Sequence, residues 1–234
     1  MAITVVQSVT AAFPQGGAGN TAAPTLTSVV AGHSIAVVTF GLGFDTGGSP
    51  VISVSDGTSY SSLAAINAVP ISSNYSMCDI SLLTNVAGGT HNCVSTNSAG
   101  SGNSFGWAAA LEISGLFNSS TLDTSSTNTS SVASNPVTGN TSVVGSTNEI
   151  AIATFSFRAS GSSTITGPGG SWTNIYQNTN GSGNDALGSI DYLTPVTLAA
   201  QSATWNPPTG SNWVAAIVVL KGTTANSGVV GWVF

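Results

Sequence analysis

The sequence predicts an all-β fold: an antiparallel jelly-roll β-sandwich built from two consecutive four-strand units. Three observations carry this expectation. Helix signals are nearly absent, because no long stretch places apolar residues at i, i+3, i+4 and i+7 between caps. Short runs rich in Val, Ile, Thr and aromatics alternate instead with Gly, Ser and Asn clusters such as "DTGGSP", "SAGSGNS" and "GPGGS". Four of these runs then recur, in order, in the second half of the chain.

Taken along the chain, the expected strands are "ITVVQSV", "SIAVVTFGL", "VISVSD", "MCDISLL", "HNCVST", "WAAALEISG", "EIAIATFSF", "WTNIYQN", "LGSIDYL", "QSATW" and "WVAAIVVLKG". "EIAIATFSF" is apolar on both faces at its start, and "AAIVVL" is apolar at every position. Both patterns suit inner strands covered on two sides. The repeat pairs "HSIAVVTFGLG" with "NEIAIATFSFR" and "DGTSYSSL" with "GGSWTNIY". It also pairs "ISLLTNVAGGTHNCVS" with "IDYLTPVTLAAQSATW" and "WAAALEISG" with "WVAAIVVLKG".

One sandwich is therefore expected over residues 1–222, with copies at roughly 31–116 and 148–222. "ITVVQSV" is read as an added N-terminal strand. Eight antiparallel strands in two sheets limit the exposed-edge problem. Residues 118–147 are polar and nearly free of charge, and read as a surface excursion with a short strand at "SVASNPV". Two small domains joined by that segment are the alternative. Residues 223–234 form an apolar tail, in which Val229, Val230, Trp232, Val233 and Phe234 are the candidate interface with a neighbouring copy.

The 234 residues are 41% hydrophobic, enough for a large core, yet only 4% charged, against roughly 25% in average domains. Two basic residues, Arg158 and Lys221, cannot neutralise a run of phosphates, so nucleic acid is excluded as a partner. A polybasic membrane anchor is excluded for the same reason, and no window approaches the ~18 apolar residues of a membrane span. The net charge of −6 is a mild acidic bias that favours colloidal stability. No basic residue precedes the first apolar stretch, which makes a poor secretory signal. The composition nevertheless suits an extracellular or virion surface, and two basic residues offer a trypsin-like protease little to cut.

The residues offer little catalytic chemistry. His33 and His91 are the only histidines. No G-x-S-x-G frames a serine, and zinc-ligand, phosphate-loop and dinucleotide spacings are missing. No catalytic residue and no bound cofactor are expected, and the chain is read as non-enzymatic. A glycosidase needs two carboxylates facing one cleft. Glu112 and Glu149 are the only glutamates, and Glu112 is expected on the solvent face of its strand. Calcium needs only oxygen ligands, which Asp45, Asp56 and Asp185 could offer from Gly- and Ser-rich loops, although Asp-Gly is also ordinary turn chemistry. Tyr60 and Trp172 occupy matching repeat positions and are candidates for stacking on a sugar, with Tyr75 and Trp205 beside them. Trp107 and Trp213 read as core or rim packing. Cys78 and Cys93 flank a stretch read as strand, turn, strand, where a cross-strand bridge and two reduced thiols are both open.

Together "AGHSIAVVTF", "VISVSDGTSYSSL", "DISLLTNVAGGTHNCV" and "WAAALEISGL" resemble a jelly-roll module of tailed-phage virion proteins and bacterial surface proteins. The resemblance covers residues 31–116 and, more loosely, the second half. It implies a display, adhesion or coating role with no catalytic residues. The expected function is a structural protein of a phage particle, with capsid decoration first and a tail or fibre component next. Its partners would be its own copies and other virion proteins. A carbohydrate-binding or adhesion module, with a glycan as ligand, and a filament subunit joined by strand exchange are the alternatives.

Overall fold

A computed structural model describes residues 1–14, 21–44, 51–71, 74–98, 104–132, 134–158, 164–179, 186–206 and 212–223. Every regular element is a strand: β1 (Thr4–Ala12), β2 (Thr21–Ala22), β3 (Thr25–Val29), β4 (Ser34–Phe44), β5 (Ile52–Ser55), β6 (Ser61–Ile71), β7 (Asn74–Leu83), β8 (Gly89–Asn92), β9 (Val94–Asn97), β10 (Ser104–Ser114), β11 (Leu122–Ser130), β12 (Glu149–Arg158), β13 (Thr173–Asn178), β14 (Ala186–Leu193) and β15 (Trp213–Lys221). Two antiparallel five-stranded sheets dominate, in the orders β1-β10-β4-β7-β6 and β11-β15-β12-β14-β13. All strands of each sheet come from one half of the chain.

Side-chain alternation sets the layers. Val38, Phe40, Ile80 and Leu111 of the first sheet meet Ile150, Ile152, Val218 and Leu220 of the second in the central core. The opposite face of the first sheet, with Ile35, Val37 and Ala110, is roofed by the small sheets β2-β9-β5 and β3-β8. The opposite face of the second sheet, with Ala153, Phe155, Ile217 and Val219, is roofed by irregular chain that contributes Val144, Ile165, Val196 and Trp205. The sandwich is thus four layers deep. Its two main sheets are apolar on both faces, which explains the unbroken hydrophobic runs of β12 and β15.

The two halves repeat one topology. β11, inside the polar segment 118–147, takes the edge place that β1 takes in the first half. Each copy therefore supplies five main-sheet strands, one more than the four recurring sequence blocks. The strand of that segment lies at Leu122–Ser130, ahead of "SVASNPV". After Leu122 and Asp123 its side chains are Ser, Thr and Asn, so the pairing with β15 rests mostly on backbone hydrogen bonds that carry no hydrophobic signature. Even the irregularities recur. β1 bulges between Val5 and Gln7, and β11 between Leu122 and Thr124. β6 bulges between Ser62 and Ala64, and β13 between Asn174 and Tyr176. Such insertions bend an edge strand and re-aim its side chains. Among the described residues, the roof of the second half keeps only isolated bridges, Val137–Thr204, Val143–Ala200 and Thr166–Asn206, where the first half has small sheets. "QSATW" accordingly forms no strand of its own.

Cys78 and Cys93 are both free. Cys78 faces the central core and Cys93 the roof layer, so the first main sheet separates them. The stretch between them is strand, turn, strand as expected, β7 then β8, but β8 pairs with β3 in the roof and not with β7.

Candidate functional site: two histidine–carboxylate ties

Glu112 lies on β10, on the face shared with Ala108 and Ala110. It is fully buried beneath the roof, which corrects the expected solvent-facing position. The two small alanines beside it leave room for the roof to descend onto the sheet. Three donors converge on its carboxylate. The Gln7 side-chain amide donates to Oε2 at 2.6 Å and the Val30 N–H to Oε1 at 2.9 Å. His33 Nδ1 lies 2.6 Å from Oε1. An ionised carboxylate only accepts, so Nδ1 carries the proton. Gln7 also donates to the Thr27 carbonyl at 2.8 Å, joining edge strand β1 to roof strand β3. Burial works to raise the Glu112 pKa, but the Val30, Gln7 and His33 hydrogen bonds outweigh it and hold the group below the usual range.

The second tie lies in the same roof. His91 on β8 places Nδ1 2.5 Å from Asp56 Oδ2 and Nε2 2.9 Å from the Ala87 carbonyl. Both partners are acceptors, so both nitrogens must donate, and the geometry calls for the imidazolium. Burial lowers the His91 pKa. The Asp56 hydrogen bond, the Ala87 carbonyl and the charges of Asp56 and Glu112 more than reverse this, leaving it raised. Asp56 is correspondingly held low against its burial, with His91 and the Thr58 N–H as the main causes. Its Oδ2 also accepts from the Tyr60 hydroxyl at 3.3 Å, and that hydroxyl sits 3.5 Å from Cys93 Sγ. Burial pushes the Cys93 and Tyr60 pKa values up, so neither is activated as a nucleophile.

A further pair of acids lies on the roof faces of the main sheets. Asp79 accepts from Ser62 and Ser81. Asp191 accepts from Ser189 at 2.7 Å, Asn174 at 2.9 Å and the Trp205 indole N–H at 2.9 Å. Burial raises both, Asp191 to about 6, despite those donors. Strand register aligns Asp79 with Ser189 and Ser81 with Asp191, each pair opposite the same bulge. The first copy thus reads "DIS" where the second reads "SID", with one acid–serine bond in both.

The structure does not bring Glu112 and Glu149 together: Glu112 belongs to the first sheet and Glu149 begins β12 of the second. Tyr60 is only 8% exposed and packs in the roof core, so it offers no platform for a sugar. Trp172 is partly buried against the second roof, Tyr75 partly buried against the first, and Trp205 fully buried. Trp213 is buried in the second roof layer, and Trp107 takes a rim place: it is partly buried and stacks with Tyr176 at 5.4 Å and Phe40 at 6.0 Å along one edge of the central layer. Asp45, Asp185, Val229, Val230, Trp232, Val233 and Phe234 lie outside the described residues. Among the described residues no group of three or more His, Cys, Asp or Glu side chains could hold a metal ion. A depression of about 160 Å³ is lined by Ile52, Ile66, Met77 and Asp79, and one of about 330 Å³ by Leu63, Leu82, Thr121 and Leu122; neither includes the two ties.

Chemically, each tie holds a proton between an acid and a base; the first fastens the roof to the first main sheet, and the second joins β8 to the turn after β5 within the roof. Sequence reasoning missed both, because His33–Glu112 and His91–Asp56 are far apart in the chain. The available signal was Glu112 itself, a lone acid in an otherwise apolar strand. Comparison of the chain with known families, curated proteins and solved structures finds no match.

Proposed function

We propose that the chain is a non-enzymatic structural protein of a phage particle, a capsid decoration protein first and a tail or fibre component next. The observation that carries this reading is where the polar chemistry goes. Both histidines and the acids Asp56, Glu112 and Asp191 are bonded to neighbouring side chains inside the fold, away from both depressions. A catalytic site would aim such groups at a cleft. The resemblance of residues 31–116 to jelly-roll virion modules points the same way. So does a sequence with one Arg and one Lys, which gives a coat little for trypsin-like proteases to cut. The tail at residues 223–234 is the segment that would dock on a neighbouring copy, and the outer edges β1, β6, β11 and β13 are where a strand could add.

The test is assembly. Full-length protein should sediment as a concentration-dependent oligomer, and a chain lacking residues 229–234 should remain a single species. Equal assembly of both would overturn the tail's role, and turnover of an ester or glycoside panel would overturn the non-enzymatic reading. Carbohydrate binding is the second reading, favoured by the partly exposed Trp107–Tyr176 stack and by Trp172. Hits on a glycan array that Trp107→Ala abolishes would establish it in place of the first.

A further inference from the structure

Glu149, the first residue of β12, is only 2% exposed, and its Oε2 has no hydrogen-bond partner. An orphaned buried carboxylate oxygen is costly and calls for an explanation. The neighbours supply one. Asp123, the bulge residue of β11, is turned toward Glu149 and lies within hydrogen-bonding reach of it. Lys221 of β15 stands 3.2 Å from Asp123 Oδ1. The Gly145 N–H donates to Asp123 Oδ2 at 3.3 Å, and the Ser146 N–H donates to Glu149. β14 is joined by the Thr194 hydroxyl, which donates to the Glu149 carbonyl at 3.4 Å. The Met1 ammonium lies close by and donates to the Thr223 carbonyl at 3.3 Å. Two carboxyl groups thus face each other beside the Lys221 ammonium, which already bonds to Asp123, while the Met1 ammonium is engaged with Thr223.

We infer that Glu149 and Asp123 share one proton, with Glu149 Oε2–H donating to the Asp123 carboxylate. We further infer that this proton latches the covering segment 142–148 onto the second sheet. The proton gives the orphaned oxygen its bond and leaves a single negative charge for Lys221 to balance. The latch reaches the covering segment because the same two carboxyls hold the Gly145 and Ser146 amides. Loss of the proton places two like charges side by side under that segment, which then loosens. Burial, followed by the charge and hydrogen bond of Asp123, raises the Glu149 pKa to about 7, against the opposing Lys221 and Ser146. The latch therefore opens as pH rises through neutrality. The first copy has nothing equivalent: strand register places His33 where the second copy has Glu149.

The experiment uses the full chain labelled with ¹³C at the glutamate side-chain carboxyl, followed by NMR from pH 3 to 9. With only Glu112 and Glu149 in the sequence, two resonances are read, and Glu149→Gln assigns them. The expected result is one titration below the usual range, from Glu112, and one near pH 7, from Glu149. Asp123→Asn should move the second downward, and the Gly145 and Ser146 amides should lose exchange protection as it completes. The inference is overturned if both resonances titrate in the ordinary carboxylate range. It is also overturned if calcium chloride at pH 6 shifts the Glu149 resonance saturably, since the orphaned oxygen would then be a cation ligand. The wild-type titration stands even if a variant fails to fold.

Discussion

Replacing Glu112 with Ala is the sharpest test of the roof ties. The side chain is fully buried and accepts three hydrogen bonds, at 2.6, 2.6 and 2.9 Å. The three donors respond differently. Gln7 and His33 are partly exposed and can turn toward water. The Val30 N–H is backbone and is left without its acceptor, at about 1–3 kcal/mol. Bonds to a charged acceptor are worth about 1.5–3 kcal/mol each, and water recovers part of the loss at Gln7 and His33. We therefore expect Glu112→Ala to lower unfolding stability by about 3–5 kcal/mol, measured by urea titration at pH 7 with tryptophan fluorescence. The midpoint should fall at unchanged slope. Glu112→Gln should cost less, about 1–2 kcal/mol, because the Gln7 amide can flip to meet it while losing its bond to Thr27. The sign of the pH dependence is fixed. Glu112 is held below its ordinary pKa, so its contribution is present above the carboxylate range and lost as pH falls through its folded-state value. The gap between wild type and Glu112→Ala should close in acid. A loss under about 1 kcal/mol at pH 7, or a gap that persists in acid, would refute the reasoning.

The other ties and buried groups give further expectations. His91 has a raised pKa, so its contribution is complete below about 6.5 and fades as pH rises through the folded-state value; His91→Gln should flatten that part of the pH–stability curve in denaturant titrations. Trp205→Phe removes the indole donor to Asp191 and part of a fully buried ring pair with Phe155. We expect a loss of about 2–4 kcal/mol by chemical denaturation, and an Asp191 carboxyl that titrates higher still by NMR. Cys78 and Cys93 are buried, on opposite sides of one sheet, with raised pKa values. Both should resist thiol reagents until the chain is unfolded, and mass spectrometry after mild oxidation should find no bond between them.

Much of the fold is legible because two-sided burial writes itself as continuous apolar runs, as in β12 and β15. The repeat is legible as well, but its residue pairing is not. Aligning Trp107 with Trp213 matches the letters and mismatches the faces: Trp107 borders the central layer and Trp213 the second roof. Strand register pairs Trp107 with Val214. A slip of one residue turns every side chain of a strand to the other face, so similarity of sequence misleads where hydrogen-bond register does not. β11 stayed hidden because, past Leu122 and Asp123, an edge strand of Ser, Thr and Asn has no apolar alternation to read. The ties stayed hidden for a different reason. His33 meets Glu112 only after the roof folds over the sheet, and His91 meets Asp56 only as the roof strands assemble. No local pattern encodes a contact made by that closure.

The two copies share a scaffold and differ in how they hold charge. The first bonds its acids to imidazole, in Glu112–His33 and Asp56–His91. The second uses a Lys and a second carboxyl, in Lys221–Asp123–Glu149. Every described acid is buried or partly so, which leaves the described surface to Ser, Thr, Asn and scattered apolar side chains. Such a surface projects little field, so association through it would rest on short-range contacts with little electrostatic steering. Charge in this protein acts inward, fastening roofs to sheets, and the pH range over which it does so is bounded on both sides. Below that range Glu112 and Asp56 take up protons and release their partners; above it His91 and Glu149 lose theirs. The fold is therefore most tightly closed between mildly acidic and neutral pH, and the roofs, rather than the central layer, are the parts that answer to pH first.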